Sequence, residues 1–317
     1  MKLLPLILSS CVILGSANAL PFGCPKRLPV GIEIDTPTNV TLVSGGIERR
    51  FLVNVPTAYS SQLESPVIIS YHGGLQTAEQ QLALDQFTNP FFQDFAIVVY
   101  PQGIDDTWQG IPTANKSVND IQFTADILDY LEQNYCIDQT RIWASGKSDG
   151  AGFCNTLACD PVLSTKIAAF APVSAAVYVN STVCEPDTIA IPCNPGRWNI
   201  PMMEFHGEQD PIIAYDGGPR KEECLPSIPH WITEWAIRDG LPSQNISIPV
   251  VTNTTAYTFG DIFEWGLVVE VSTVNNGHTW PATVPNEDNQ VAGQHLALFN
   301  ATSMIIKFFE NHPLTFF

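Results

Sequence analysis

The pentapeptide 146–150, Gly-Lys-Ser-Asp-Gly, places a serine where it could act as a nucleophile. The pattern Gly-x-Ser-x-Gly is typical of a tight strand-to-helix turn that lifts a serine hydroxyl above a sheet. Glycines suit its outer positions because a side chain there would collide with neighbouring backbone. A strand-like segment, 141–145, precedes this turn, and a helix-like segment, 151–158, follows it. We therefore predict that Ser148 is the nucleophile of an acyl-transfer reaction.

A serine nucleophile needs a general base, and the base needs a carboxylate that orients it. In one recurring arrangement the three residues follow one another along the chain as serine, acid and histidine. Asp210 comes after the strand-like segment 202–205 and is the predicted acid, while Glu208 and Asp216 in the same loop remain alternatives. His278 lies in the loop after a later strand-like segment and is the predicted base.

The oxyanion that forms on the attacked carbonyl needs two backbone N–H donors. One is expected from Asp149, the residue after the nucleophile, and the other from the loop after an earlier strand. The strand-like run 67–71 ends in such a loop, where Gly74 is the predicted second donor and Leu75 the alternative. We expect Asp149 to contribute its backbone alone, with a side-chain contact to a substrate hydroxyl as the alternative. We expect Lys147 to be exposed on the turn.

The elements that must position these residues alternate between strands and helices. Runs of consecutive apolar residues, which suit strands buried on both faces of a parallel sheet, cover 67–71 and 95–100. Further strand-like segments cover 141–145, 167–172, 202–206 and 267–274. Helices are predicted over 119–134, with Asn119 as the cap, and over 151–158, 229–239 and 300–311. A hairpin-like pair, 40–43 and 51–55, precedes them. The alternation predicts an α/β fold with a mostly parallel central sheet and helices on both faces.

The composition of the chain is acidic. Its 317 residues carry 14 Lys and Arg against 32 Asp and Glu, a formal net charge of −18. This balance argues against nucleic acid or an anionic membrane surface as a partner, because both require a basic face. No compact Cys or His cluster suggests a metal site, and no cofactor is predicted. Since no repeat or linker divides it, we predict that segment 20–317 forms one catalytic domain without an obligate protein partner.

The N-terminus has the pattern of a secretory signal peptide. An apolar run leads to a small-residue cleavage pattern, so residues 1–19 are predicted to be removed. N-glycosylation sequons follow at Asn39, Asn115, Asn180, Asn245, Asn253 and Asn300. Seven cysteines remain after residue 19, so in an oxidising compartment we expect disulfides with one thiol left free or intermolecular. The protein is therefore predicted to be secreted, extracellular and glycosylated.

Five motifs in a fixed order carry a resemblance to a known family. They are Tyr71 to Gly74, Tyr100 to Gly103, Arg141 to Gly150, the group His206, Gly207 and Asp210, and Gly277 to Pro281. With these motifs the sequence resembles the secreted fungal feruloyl esterases of carbohydrate esterase family 1, a group also similar to polyhydroxybutyrate depolymerases. The resemblance implies an α/β-hydrolase fold. It matches Ser148 to the family nucleophile, Asp210 to the acid and His278 to the base.

The resemblance also implies a substrate, an ester that joins ferulic acid or a related hydroxycinnamic acid to arabinose in plant cell-wall xylan. Ser148 would attack the ester carbonyl while His278 takes its proton, and water would then release the acid from the acyl-enzyme. An aromatic acyl group needs an apolar slot, and Trp280 and Trp108 are predicted to line it. The predicted partner is feruloylated polysaccharide or its oligosaccharides.

Other functions remain compatible with these residues. The same triad could act on acetylated xylan or on a polyester, and activity on acetyl against cinnamoyl esters separates these substrates. A catalytically silent sugar-binding glycoprotein would need a damaged triad, whereas all three members are present. A protease or amidase fits the chemistry and would cleave an amide without ester activity.

Overall fold

The computed structural model describes residues 26–260, 266–291 and 293–315. The strands of these ranges are β1 Thr38–Ser44, β2 Ile47–Asn54, β3 Ser65–Tyr71, β4 Ile97–Pro101, β5 Ile137–Lys147, β6 Ala169–Val173, β7 Met202–Gly207, β8 Gly218–Arg220, β9 Glu223–Leu225, β10 Asn245–Val251, β11 Thr254–Phe259 and β12 Val268–Thr273. The helices are α1 Ala78–Asp85, α2 Asp120–Asn134, α3 Asp149–Ala158, α4 Ile228–Arg238 and α5 Ala301–Asn311. The predicted signal peptide, 1–19, lies outside the described residues.

The first two strands form the predicted hairpin. β1 and β2 pair antiparallel, with Ser44 opposite Ile47 at the turn. Gly45 and Gly46 have φ values of 56° and 81°, the left-handed backbone that such a two-residue turn requires. Glycine adopts this backbone without a steric penalty. The sequence prediction of strands on either side of Gly45 and Gly46 is confirmed.

Among the described residues, a sheet of ten strands forms the centre of the fold, in the order β1-β2-β4-β3-β5-β6-β7-β12-β11-β10. From β4 to β12 in this order, neighbouring strands run parallel. Antiparallel strands extend the sheet at both edges. Every residue of β3 and of β12 is buried, as expected for parallel strands covered on both faces. The predicted α/β class with a mostly parallel sheet is confirmed.

Helices cover both faces of this sheet, and side chains of the strands alternate between two cores. Along β3, Val67 and Ile69 belong to a core that includes residues of α2, α3 and α4, whereas Ile68 belongs to a core with residues of α1 and α5. The predicted cap of α2 is present, because Asn119 Oδ1 accepts the backbone N–H of Gln122 at 2.9 Å. The predicted arrangement of helices on both faces is therefore confirmed.

The carboxyl ends of the parallel strands meet at one edge of the sheet. β3 ends at Tyr71, β5 at Lys147, β7 at Gly207 and β12 at Thr273. The loops after these strands carry the candidate oxyanion donor, the candidate nucleophile, the candidate acid and the candidate base. Ligand sites of open α/β sheets lie at this edge, because parallel strands bring residues that are distant in sequence to the same side.

α1 and the strands β8 to β11 were not predicted from the sequence. α1 begins at a capping box in which Thr77 Oγ1 accepts the N–H of Gln80 at 3.3 Å and Gln80 Oε1 accepts the N–H of Thr77 at 3.0 Å. That signal was present in the sequence, but the helix that follows has little apolar periodicity. β8 to β11 are short or lie toward an edge of the sheet, where continuous apolar runs are not required.

Disulfides tie the segment after β6 to its surroundings. Cys159, directly after α3, is bonded to Cys193, and Cys184 is bonded to Cys224 of β9. Cys136 is also disulfide-bonded. Cys154 of α3 is a free buried thiol, as the odd cysteine count leads one to expect.

The sequons lie on the surface of the described structure with one exception. The asparagines at 39, 115, 180, 245 and 253 are exposed, whereas Asn300 is half-buried at the start of α5. Their glycosylation stays a prediction. No helix within the described ranges is both long and apolar enough to cross a membrane.

Candidate active site

Ser148 occupies a strained turn between β5 and α3. Its backbone has φ 55° and ψ −116°, and sparsely populated conformations of this kind cost on the order of 1–3 kcal/mol. The Ser148 N–H donates to the carbonyl of Val173 at 2.9 Å, and its carbonyl accepts the N–H groups of Gly152 and Ala176 at 2.9 and 3.1 Å. These bonds hold the turn in place. Strain of this kind is concentrated at functional sites.

The two glycines of the turn are required by close backbone approach. A Cβ on Gly146 would lie 2.8 Å from the carbonyl oxygen of Tyr71, and a Cβ on Gly150 would lie 2.3 Å from the same oxygen. The Gly150 Cβ would also lie 2.5 Å from the carbonyl oxygen of His72. Both oxygens are backbone atoms, so neither can move without displacing the end of β3. The glycines therefore allow the turn to pack directly against β3, for the reason predicted from the sequence.

Asp210 and His278 form a hydrogen-bonded pair beyond the ends of β7 and β12. Oδ2 of Asp210 lies 2.6 Å from Nδ1 of His278. Its Oδ1 accepts the backbone N–H groups of Ile212 and Ile213 at 2.7 and 2.8 Å. The Asp210 side chain is fully buried, and the His278 ring is 14% exposed. Because Nδ1–H is donated to the carboxylate, Nε2 of His278 is the nitrogen that can accept a proton.

His206 lies behind Asp210 and links it to Glu204. Its Nε2 donates to the carbonyl of Ile213 at 2.9 Å and lies 3.4 Å from Oδ2 of Asp210, while its Nδ1 lies 2.9 Å from Oε1 of Glu204. Burial by itself lowers the pKa of His206, but the hydrogen bonds with the two carboxylates outweigh it and raise the pKa to about 10. Burial opposes ionisation of Asp210, yet its hydrogen bonds to His206 and His278 hold the pKa of Asp210 well below its ordinary value.

The His278 imidazole is neutral over most of the pH range. Burial lowers its pKa and the Lys147 ammonium lowers it further, so that in spite of the Asp210 carboxylate the pKa is about 4. A neutral imidazole that is oriented through Nδ1 is the form that accepts a proton from a serine hydroxyl. At neutral pH the candidate base is therefore in the form that this role requires.

The loops of the base and of the candidate oxyanion donor both contact the nucleophile turn. Lys147 Nζ donates to the carbonyl of His278 at 3.3 Å and forms an ion pair with Asp288 at 2.7 Å. On the other side, a Cβ on Gly73 would lie 3.5 Å from the Cβ of Ser148. The expectation that Lys147 is exposed is wrong, because its side chain is 3% exposed. Asp288 draws the ammonium inward, and no local pattern pointed to that partner.

Hydrogen bonding in the loop after β3 distinguishes the two candidate oxyanion donors, Gly74 and Leu75. The N–H of Leu75 is donated to the carbonyl of Asp106 at 2.8 Å, so this amide is already engaged. Gly74 lies against the first residue of α3, since a Cβ on it would be 2.3 Å from Oδ2 of Asp149. Gly74 is therefore retained as the predicted donor beside the N–H of Asp149, and Leu75 is set aside.

His72 supports this loop from within the core. Its Nδ1 lies 2.8 Å from the carbonyl oxygen of Gly73, and its Nε2 accepts the N–H of Gly103 at 3.0 Å. One backbone acceptor and one backbone donor suit a neutral ring. Burial lowers the pKa of His72 to about 4. His72 thus has a structural role in this loop.

Trp108 and Trp280 do not line an open slot. Both side chains are completely buried. Trp108 Nε1 donates to the carbonyl of His72 at 2.8 Å, and the indole stacks on Phe153. Trp280 Nε1 donates to Thr302 Oγ1 at 3.0 Å. The prediction that the two indoles line an acyl slot is therefore corrected, because they support the surrounding loops from inside and present no surface to a substrate.

The carboxylate of Asp149 lies next to the hairpin of β8 and β9. Its Oδ2 is 4.0 Å from Nζ of Lys221, which lies 5.6 Å from the ring centre of Tyr178. Arg220 Nε donates to the hydroxyl of Tyr178 at 3.0 Å. Burial raises the pKa of Asp149, while the cations of Lys221 and Arg220 oppose that shift. This hairpin borders the nucleophile turn, and no sequence pattern marked it.

The arrangement is suited to acyl transfer, since the same end of the sheet carries a serine in a strained turn, a histidine oriented by a carboxylate and a loop with backbone N–H groups. Three residues that support it were missed as members of the site, namely Glu204, His206 and Asp288. Of these, His206 had a sequence signal, the motif His-Gly-x-x-Asp that also contains Asp210. Within the described ranges, no group of three or more His, Cys, Asp or Glu side chains is placed to hold a metal ion.

Known proteins with similar sequences have esterase names. The chain is 27% identical over 238 residues to feruloyl esterase B of Piromyces equi, a match covering 72% of this chain and 42% of that protein. It is 26% identical over 212 residues to a probable feruloyl esterase C of Aspergillus terreus, covering 65% of this chain and 68% of that protein. The chain is a relative of the fungal feruloyl esterases. It matches less than half the length of the Piromyces relative, and no protein-family model matches it.

Two further similarities concern acetylxylan esterases. The chain is 25% identical over 231 residues to a bifunctional acetylxylan esterase/xylanase of Neocallimastix patriciarum, covering 71% of this chain and 30% of that protein. Among solved structures, an acetyl xylan esterase from Aspergillus awamori aligns with a TM-score of 0.55 at 16% identity, covering 76% of this chain and 94% of that one. At this identity the likeness concerns the fold, which is that of the α/β-hydrolases.

Proposed function

We propose that the protein is a serine esterase that releases ferulic acid or a related hydroxycinnamic acid from feruloylated plant cell-wall xylan. The observation that carries the proposal is the 2.6 Å hydrogen bond between Asp210 and His278, whose loop contacts the turn that presents Ser148. A serine in a strained turn, an oriented histidine and a buried carboxylate are the parts that acyl transfer requires. The relatives of Piromyces and Aspergillus, with their feruloyl esterase names, support the substrate class.

In the first half of the reaction Ser148 Oγ attacks the ester carbonyl and His278 Nε2 takes its proton. The backbone N–H groups of Asp149 and Gly74 stabilise the oxyanion, and each such donor contributes about 3–4 kcal/mol in measured hydrolases. The sugar alcohol leaves with the proton that His278 accepted. Asp210 stays ionised and stabilises the imidazolium through Nδ1.

In the second half, water attacks the acyl-enzyme. His278 takes a proton from the water, the oxyanion forms again at the same donors, and the feruloyl group leaves as the free acid while Ser148 recovers its proton. His206 lies 3.4 Å from Asp210 and keeps the carboxylate ionised throughout. No step requires a cofactor.

A second candidate activity is removal of acetyl groups from xylan by the same residues. The similarity to the Neocallimastix protein, named as an acetylxylan esterase/xylanase, favours it. Acyl size distinguishes the two activities, because a slot shaped for an acetyl group excludes a cinnamoyl ring. The ratio of the two rates with the purified protein decides between them.

The test is hydrolysis of methyl ferulate and of acetylated xylan by the wild-type protein and by Ser148→Ala. Ser243→Ala, a change in an exposed loop, is the matched control. We expect ferulate release by the wild type and the control, and none above background by Ser148→Ala. Acetate release alone would transfer the assignment to the acetyl esterase, and undiminished release by Ser148→Ala would refute the proposed nucleophile.

We further propose that the chain is secreted as a single catalytic domain, 20–317, after removal of residues 1–19. Two disulfides between described cysteines and five exposed sequons are compatible with an oxidising, glycosylating route. N-terminal sequencing of protein from the culture medium, before and after endoglycosidase treatment, tests both statements. A mature N-terminus at residue 20 and a loss of mass after treatment are expected.

A further inference from the structure

The residue before the nucleophile forms a buried ion pair with a distant loop. Lys147 Nζ lies 2.7 Å from Oδ2 of Asp288, and the two side chains are only 3% and 10% exposed. Removing two charges from water is costly, so a buried pair is poor evidence for a gain in stability. The presence of this buried pair beside Ser148 therefore needs an explanation other than stability, and the atoms that the pair contacts provide one.

Both members of the pair bind the backbone of the loop that carries the base. Lys147 Nζ donates to the carbonyl of His278 at 3.3 Å. Oδ2 of Asp288, the atom that meets the ammonium, also accepts the backbone N–H of Trp280 at 2.8 Å. The pair therefore holds the peptide groups on both sides of Thr279, while Lys147 itself is covalently attached to the nucleophile.

We propose that Lys147 and Asp288 are a positioning pair, which holds the base loop 278–280 against the turn of Ser148 and whose opposite charges act on His278 in opposite directions. The inference rests on the proposed function, since it assigns His278 the role of the base. Neither residue contacts the reacting atoms in this role. They act by setting the position and the proton affinity of His278.

The charges around His278 fix the sign of the expected effects. Asp210 faces Nδ1 and His206 lies behind that carboxylate, while Lys147 and Asp288 approach from the turn and from the loop before α5. Lys147 lowers the pKa of His278, whereas Asp210 and Asp288 raise it. Loss of the ammonium should therefore raise the pKa of His278, and loss of the Asp288 charge should lower it.

Two single variants that break the same contact provide the test. The acid limb of kcat/KM against pH should move up by about half a pH unit or more in Lys147→Met and down by a similar amount in Asp288→Asn, as expected for charges this close to a largely buried ring. In the double variant it should return toward the wild-type position. A merely structural role predicts lost activity in both variants, with the acid limb either unmoved or moved in the same direction in Lys147→Met and Asp288→Asn.

Matched controls separate charge from folding. Lys166→Met removes the ammonium of an exposed pair, Lys166 and Asp129 at 3.7 Å, and should leave the limb unchanged. Lys147→Arg keeps the cation and should retain the wild-type limb even if kcat falls. If Lys147→Met does not fold, as judged by thermal melting, the downward movement in Asp288→Asn remains the deciding result.

A readout that needs no substrate separates this inference from the proposed function. In a Ser148→Ala background, NMR titration of the His278 ring should show a raised pKa with Lys147→Met and a lowered pKa with Asp288→Asn. If the wild type hydrolyses no ester but the pKa of His278 shifts in opposite directions in the two variants, the proposed function fails and the pair's effect on His278 stands. If the wild type is active, but the two variants shift neither the acid limb of kcat/KM nor the pKa of His278 in opposite directions, the positioning pair is refuted.

Discussion

The substitution Asp210→Asn tests the orienting role of the carboxylate without changing its shape. Oδ1 of Asp210 accepts two backbone N–H groups, from Ile212 and Ile213, so the asparagine must keep its oxygen there. Its NH2 group then takes the place of Oδ2, 2.6 Å from Nδ1 of His278. An NH2 group only donates, so Nδ1 must accept and the ring proton must move to Nε2. In that tautomer His278 cannot accept the proton of Ser148.

The expected loss follows from the wrong tautomer. The same change in a serine protease triad lowers kcat about 10⁴-fold, which corresponds to about 5.4 kcal/mol at 1.36 kcal/mol for each tenfold change. KM should change little, because Asp210 is fully buried behind the ring and does not reach substrate. The imidazolium of His206, 3.4 Å away, loses a carboxylate partner, so its pKa should fall as well.

The assay is steady-state hydrolysis of methyl ferulate, with far-UV circular dichroism and thermal melting to establish that the variant folds. Asp216→Asn is the matched control, since Asp216 lies exposed in the same loop and was an alternative acid in the sequence analysis. We expect the control to keep nearly full activity. A folded Asp210→Asn protein that loses less than about tenfold in kcat would refute the assignment of the acid, because a tautomer-blocked base cannot be that active.

Three further predictions concern the turn and the base. Gly74→Ala keeps the backbone N–H but places a Cβ 2.3 Å from Oδ2 of Asp149, so the loop should shift relative to the turn and kcat on methyl ferulate should fall about tenfold or more while the melting temperature is nearly retained; unchanged kcat would show that the Asp149 carboxylate moves aside and that this close approach does not position the donor loop. Gly150→Ala places a Cβ 2.3 Å from the backbone oxygen of Tyr71, so urea denaturation should show about 1–3 kcal/mol of lost stability; equal stability would contradict the close packing. As the pH falls through about 4, the pKa of His278, kcat/KM should fall because the protonated ring cannot accept a proton; an acid limb at the ordinary histidine value, about 6.5, would contradict the buried site.

The parallel centre of the fold could be predicted because its strands are buried on both faces and therefore read as continuous apolar runs. The apolar run at 67–71 matches the end of β3, and the strand-like segment 267–274 matches β12 within a residue or two. β10 and β11 lie at an edge of the sheet, where β10 is largely exposed and no continuous run is required. Edge strands of this kind leave a weak pattern in a sequence.

The candidate triad could be predicted from chain order, whereas the support that Asp288 gives it could not. Ser148, Asp210 and His278 follow strand ends that any parallel sheet brings to one edge. Asp288 pairs with Lys147 through a contact that joins loops far apart in the chain, and no spacing encodes it. The charge of a lysine suggested exposure, yet a single buried partner reverses that expectation.

The orientation of Trp108 and Trp280 could not be predicted from the sequence either. Proximity in sequence to the base and to the loop after β4 suggested that Trp280 and Trp108 face the substrate. Each instead fills the interior and donates its indole N–H to a buried oxygen, at 3.0 Å for Trp280 and 2.8 Å for Trp108. A large apolar side chain gains more by burial than by lining an open site, and the sequence alone does not give its direction.

The most direct test of the central claim is to trap the acyl-enzyme. The protein is mixed with a feruloyl ester that has a good leaving group, quenched with acid within the first turnovers and digested, and the peptide that contains Ser148 is analysed by mass spectrometry. We predict a feruloyl adduct on Ser148 in the wild type, in larger amount with Asp210→Asn if deacylation slows more than acylation, and no adduct in Ser148→Ala. Active protein with an unmodified Ser148, or an adduct on another residue, would contradict the account.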